Sequence, residues 1–181
     1  MTQVIAGIGH FAAQTTRDAQ EWQRIARFVA REPRAFGRDP HIGGHITGSS
    51  FVLSPDGQAA LLTHHAKLDR WLQLGGHCDG IADAAFTAQK EAYEESGLTR
   101  IRLLTPDVYD IDIHEIPASA REPAHLHYDI RYLMQAEAGT LTPSAESKAL
   151  RWVPLSDLHH YTTAQSVLRL RDRLPPNLPA P

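Results

Sequence analysis

The run GGHCDGIADAAFTAQKEAYEESGL, Gly75 to Leu98, is the most informative stretch of this 181-residue chain. Two glycines open it, and an alanine-rich segment with helical spacing follows from about Ala84 to Ser96. Asp83 is the expected N-cap. Gly97 stands just past the end, where glycine stops helices. Ala85, Ala88 and Ala92 share one sector with Phe86 and Tyr93 beside it, so the helix can lie close against a sheet. Glu91, Glu94 and Glu95 fall at i, i+3 and i+4 and crowd their carboxylates onto another side.

Like charges at this spacing repel by a few tenths of a kcal/mol per pair, and Lys90 can offset part of that through Glu94. A hard divalent cation would offset more. Mg²⁺ takes oxygen ligands and commonly binds through a few carboxylates together with substrate phosphates. The same spacing also describes a plain solvated helix face, and spacing alone leaves both readings open. Gly75 and Gly76 would let the backbone approach a metal or phosphate closely.

Upstream, Trp22, Ile25 and Val29 recur at helical spacing and predict a helix over about Thr16 to Arg31, capped by Thr15 or Thr16 and stopped by Pro33 and Gly37. A strand is expected from His45 to Leu53. The SPDG turn, Ser54 to Gly57, then leads into Ala59 to Thr63 as a hairpin. Downstream, VYDIDIH (Val108–His114) and HLHYDIRYLM (His125–Met134) alternate with period two and predict strands with one buried and one polar face. RWV (Arg151–Val153) reads as a short last strand, Thr163 to Arg173 as a terminal helix, and PPNLPAP as a fraying end. The order is a mixed strand-and-helix domain rather than a regular βαβ series.

Composition narrows the class further. Lys plus Arg number 18 against 21 Asp plus Glu, for a net charge of −3, which gives no general signal for nucleic-acid binding. With 42% hydrophobic residues the chain can build one globular core. A single cysteine, Cys78, allows neither an intramolecular disulfide framework nor a Cys-cluster metal site. It reads as buried and structural rather than nucleophilic. The apolar runs fall well short of the roughly 20 residues that span a bilayer, and the N-terminus lacks a basic n-region because its first arginine is Arg17. A soluble, cytoplasmic protein is the expectation, with no membrane partner. No Walker loop, Rossmann glycine pattern or hydrolase nucleophile elbow is present, which disfavours kinase, dehydrogenase and serine-hydrolase accounts.

Several further groups are candidates for binding. His125, His127, Asp129 and Arg131 share one predicted strand face; Arg131 could hold a phosphate and the histidines a base or a transition metal, or the face could simply be hydrogen-bonded or wet. His77 directly follows the glycine pair. His64 and His65 read as a loop or packed pair, and Trp71 is a candidate platform for a nucleobase. Asp110, Asp112 and His114 form another polar stripe, expected to face water.

These residues resemble the Nudix signature, G-x5-E-x7-R-E-U-x-E-E-x-G-U with U a bulky aliphatic residue. Gly76 matches its first glycine, Glu91, Glu94 and Glu95 its helix glutamates, and Gly97 and Leu98 its end. The chain departs at three positions: Lys90 replaces the arginine, Ala92 takes the first aliphatic place, and Ala82 stands where the early glutamate belongs, with Asp83 next to it. RWLQLGGH (Arg70–His77) and HYDIRYL (His127–Leu133) are similar to a bacterial Nudix subgroup with a GGHxDG-type turn, and the likeness spans about Gly44 to Arg173.

The resemblance implies an α/β fold, a Nudix-type α/β/α sandwich with a mixed central sheet. It divides the chain into an N-terminal helical extension at 1–40, a Nudix-like catalytic domain at 41–174 and a flexible tail at 175–181. It also implies metal-dependent hydrolysis of a diphosphate linkage in a nucleoside diphosphate derivative or related compound, by in-line attack of metal-activated water. Mg²⁺ or Mn²⁺ would be held by Gly76, Glu91, Glu94 and Glu95, with Lys90 orienting a glutamate. Glu146 is a candidate general base, alongside Glu115 and Glu122, and His77, Arg131, His127 and Trp71 are substrate-binding candidates. Two alternatives stay open: a non-catalytic ligand-binding or regulatory module, which Ala82 favours, and an isomerase on the same scaffold, for which no Cys–Glu pair stands out. The N-terminal helix is a candidate homodimer contact.

Overall fold

The computed structural model describes residues 4–175. The fold is α/β, with a mixed central sheet flanked by helices. Its elements, in chain order, are α1 (Thr16–Arg31), β1 (Gly44–Leu53), β2 (Ala59–His65), β3 (Arg70–Leu72), β4 (Leu74–His77), α2 (Ala84–Ser96), β5 (Leu98–Leu103), β6 (Asp110–Ile116), β7 (His125–Gly139), β8 (Ser147–Pro154), α3 (Leu158–Tyr161) and α4 (Gln165–Asp172). The strands hydrogen-bond in the order β3–β2–β1–β7–β5, with β4 beside β1, β6 beside β7 and β8 beside β2. The chain end after Pro175, including most of the predicted tail, lies outside the described residues.

The chain forms two compact units. The first takes the chain up to Ser49 together with Gly75–Ala88 and Thr105–Tyr132; the second takes Ser50–Leu74, Gln89–Leu104 and the chain from Leu133 onward.

In the first unit, α1 starts where Thr15 accepts a hydrogen bond from the Asp18 amide at 3.1 Å. It lies on β6, burying Trp22 and Ile25, and Phe28 stacks on Tyr128 with ring centroids 4.3 Å apart. The N-terminal segment is also packed: Ile5, Ile8 and Phe11 are buried, and Tyr132 donates its hydroxyl to the Ile8 carbonyl at 2.7 Å. Asp83 caps α2 as expected, accepting from the Phe86 amide at 2.9 Å.

Gly48 on β1 lets that strand touch the start of α2. A Cβ there would meet the Ala84 carbonyl oxygen at 2.5 Å and the Ala88 amide nitrogen at 2.9 Å. Gly48→Ala is therefore expected to lower unfolding free energy by about 1–3 kcal/mol, the usual cost of overpacking, as read by urea titration. An unchanged midpoint would show that the strand and helix can part without penalty.

In the second unit, β2 pairs antiparallel with β3 and with β8, and β5 pairs antiparallel with the end of β7. The SPDG turn forms as predicted: the Gly57 amide donates to the Ser54 carbonyl at 2.9 Å, and Asp56 accepts from the Gln58 amide at 3.0 Å. β5 is a strand the sequence did not announce. Its register slips between Leu98 and Arg100 and again between Arg100 and Ile101, which breaks the period-two pattern.

Candidate functional site

The acid-bearing half of α2 is clamped in the second unit by its own side chains. Tyr93 donates its hydroxyl to the Ile101 carbonyl at 3.1 Å and accepts from the Ile101 amide at 3.0 Å, while Gln89 reaches the same carbonyl at 3.3 Å. At the helix end Gly97 takes φ +71°, the left-handed cap conformation. A Cβ at Gly97 would press on Thr142, whose amide satisfies the Ser96 carbonyl at 2.8 Å.

The three carboxylates on this helix have different surroundings. Glu95 is buried, Glu91 is half-buried, and the Glu94 side chain is 60% exposed. Lys90 places its ammonium 2.9 Å from Glu91 Oε1 and 3.0 Å from Glu94 Oε2. Those two hydrogen bonds hold the Lys90 pKa above the usual lysine range. Lys90 thus touches two of the three acids, but through a point charge rather than the planar fork an arginine would supply. Three hard oxygen donors on one helix suit Mg²⁺ or Mn²⁺ by donor chemistry. Ala82 is exposed and brings no carboxylate, and Asp83 commits an oxygen to its cap.

Glu146 is exposed just before β8; its carbonyl accepts from the Ala66 amide at 2.8 Å, leaving the side chain at the surface. Trp71 stacks on His64 with centroids 5.0 Å apart and meets the edge of Tyr161 at 5.6 Å. Together with Asp69, His159 and His160, Trp71 and Tyr161 line an open cleft of about 350 Å³.

In the first unit, the polar faces of β6 and β7 are buried at Asp110, Asp112, His125, Asp129 and Arg131, whereas the His114 side chain stays 42% exposed. The antiparallel register sets Asp110 opposite Arg131, Asp112 opposite Asp129 and His114 opposite His127. Arg131 is 2% exposed, with Nε 2.7 Å from Asp129 Oδ2 and Nη1 3.2 Å from Asp110 Oδ2. Asp129 also accepts from Thr47 at 2.9 Å and Ser49 at 2.6 Å. The Asp110–Asp112 stripe expected to face water therefore forms an internal ion-pair network, because β6 pairs with β7 in a register that sets both aspartates beside the Arg131 guanidinium. Arg17 of α1 reaches Asp112 at 3.2 Å. Arg131 is committed to this network and does not present its guanidinium to an outside phosphate.

His77 and His127 meet a third histidine, His45. Ring centroids lie 5.0 Å apart for His45–His77, 4.7 Å for His45–His127 and 5.2 Å for His77–His127. The donor set of these three imidazoles can coordinate a divalent metal. Burial lowers the His45 pKa to about 4, with further lowering from His77, His125 and the Arg38 cation and an opposing pull from Asp79. Burial likewise lowers His127 to about 2, helped by His45, His77, His114 and His125. His77 is lowered by burial and then by Arg38, against Asp79 and Glu122.

His45 is not among the candidate residues that the sequence singles out. The signal was present: the tripeptide GGH occurs twice, at Gly43–His45 and at Gly75–His77.

Burying neutral histidine makes stability depend on pH. Below the ordinary histidine pKa of 6.5 the unfolded chain takes up protons that folded His45 and His127 refuse, so stability falls as pH drops. The loss stops growing only below each folded pKa. In chelator-treated protein we expect about 2 kcal/mol lost per histidine between pH 7.5 and pH 5, with a shallower slope in His127→Gln. Urea titrations at the two pH values read this directly, and equal slopes in both chains would refute it.

A mixed sheet flanked by helices, one of which carries three glutamates within five residues, defines an α/β protein. The chain belongs to the Nudix hydrolase family: the NUDIX domain model matches residues 45–173. The general chemistry of that family is hydrolysis of phosphoanhydride bonds. No curated protein is a significant match.

Among similar solved structures is a C. elegans Ap4A hydrolase, 16% identical over 71% of this chain and 93% of its own, with a TM-score of 0.60. A NUDIX-family hydrolase from Clostridium perfringens is 23% identical over 71% of this chain and 95% of its own, with a TM-score of 0.55. The NUDIX domain of Shewanella oneidensis NrtR, solved with ADP ribose, is 21% identical over 82% of this chain and 94% of its own, at 0.50. At these identities the likeness speaks to the fold. Among the described residues, no helix is long and apolar enough to cross a membrane.

Proposed function

We propose that the protein is a divalent-cation-dependent hydrolase that cleaves a diphosphate linkage in a nucleoside diphosphate derivative or a related compound. The observation that carries this reading is the acid triplet Glu91, Glu94 and Glu95 on α2, for which Lys90 is the neighbouring cation. Glu94 and Glu95 are the principal ligands, and Glu91 completes or hydrogen-bonds the set. When bound, Mg²⁺ or Mn²⁺ supplies charge neutralisation for the phosphates and acidifies a water molecule.

The remaining work falls to this chain's own groups. Lys90 fixes the directions of Glu91 and Glu94 through its two ammonium contacts. Glu146, exposed before β8, is the proposed acceptor of the water's proton. His77, half-buried beside Gly76, is the proposed contact to substrate in that turn, and Trp71 offers an aromatic surface. His127 serves such a contact only if it leaves its partners His45 and His77.

Ala82 supports a second reading, a module that binds such ligands without turnover. A panel separates the two: nucleotide sugars including ADP-ribose, dinucleotides including Ap4A, oxidised nucleotides and non-nucleoside diphosphates, each with Mg²⁺ or Mn²⁺ and with products identified. Turnover of at least one class supports the hydrolase. Metal-dependent binding without product across the whole panel would establish the module.

A further inference from the structure

Each GGH tripeptide ends on a histidine that close strand contact brings inward. A Cβ on Gly44 would lie 2.5 Å from the Leu126 carbonyl oxygen, and one on Gly75 would lie 2.3 Å from Ser49 Oγ. Glycine at these positions lets β7 and β4 approach β1 closely. His45 on β1, His77 on β4 and His127 on β7 then bring one ring nitrogen each to within 4.8 Å of one another.

His45 is 1% exposed, and both of its ring nitrogens are buried without a hydrogen-bond partner. A neutral imidazole carries one donor and one acceptor, so leaving both unmet inside a protein is unfavourable. A metal bond would answer for one of them.

We propose that His45, His77 and His127 bind one divalent transition-metal ion of the zinc class, each through a single ring nitrogen. Imidazole nitrogen suits Zn²⁺ and its neighbours, whereas Mg²⁺ prefers carboxylate and water oxygen. Three histidines with a fourth position open is an established zinc ligand pattern. Zn–N bonds of about 2.0–2.1 Å place tetrahedral ligands about 3.3 Å apart, so the rings close inward by on the order of 1 Å through side-chain rotation.

His125 stands ready as a fourth ligand or a neighbour to bound water. Its ring lies 5.1 Å from His45 and 5.4 Å from His127, and its Nδ1 contacts the Pro123 carbonyl at 2.9 Å, an orienting bond typical of ligating histidine. Arg38 adds a like charge nearby, but it is exposed and free to turn outward, and Asp79 opposes it.

The test uses the full chain, stripped with chelator and titrated with Co²⁺ while visible absorption is followed. One equivalent of Co²⁺ should develop tetrahedral bands that one equivalent of Zn²⁺ bleaches. His127→Gln and His77→Asn should each weaken Zn²⁺ binding by about a hundredfold or more, with far-UV circular dichroism confirming a folded chain. Glu95→Gln should leave the bands in place, which separates this site from the acids of α2. Absence of bands with no saturable Zn²⁺ uptake would overturn the proposal. So would bands that survive both histidine substitutions and vanish in Glu95→Gln.

Discussion

Glu95→Gln leaves a folded protein whose metal-dependent diphosphate hydrolysis is expected to fall by about 10²–10³-fold, equivalent to roughly 3–4 kcal/mol of transition-state stabilisation. Gln preserves the volume and the capacity to hydrogen-bond but removes the charge. Glu95 is buried, so its charge acts in a medium that screens weakly, whereas the Glu94 side chain is 60% exposed. Glu94→Gln should therefore cost less than Glu95→Gln if both act through charge. The pair is read by steady-state kinetics on whichever diphosphate turns over, with Mg²⁺ varied. A Glu95→Gln enzyme of undiminished kcat would remove the acids of α2 from the chemistry, and with them the proposed activity.

The second large effect is on stability. Arg131→Met is expected to cost about 3–5 kcal/mol, because truncating one member of a buried ion-pair network strands its partners. Here the partners are Asp129 and Asp110, both at or below 2% exposure, with Asp112 close by. Asp112 and Asp129 face each other directly across the β6–β7 ladder, an arrangement that like charges disfavour, and the guanidinium reconciles them. Arg131→Lys keeps the charge but cannot reach three carboxylates with a planar fork, so it should recover only part of the loss. Urea unfolding of the three chains measures this. A Met variant as stable as the parent would mean that the network carries no net stabilisation.

Local physics made part of this architecture readable. α2 was predicted from Ala84 to Ser96 and occupies those residues, because Asp83, the alanine sector and Gly97 act within a few residues of one another. α1 follows the same logic from Thr15 onward. β5 was not readable, since two register slips destroy the alternation by which a strand is recognised. Alternation in β6 and β7 gave the two faces correctly but could not say what covers the polar one. That depends on strand pairing and on the reach of Arg17 to Asp112, between residues up to 95 positions apart.

The same division holds for the two groups of candidate ligands. Glu91, Glu94 and Glu95 share a helix side because 3.6 residues make a turn, so their clustering is a property of the sequence itself. His45, His77 and His127 meet only because three strands distant in the chain pair closely where glycines leave room. A repeated GGH hints at that meeting, but sheet register creates it, and register is settled by the folded chain as a whole.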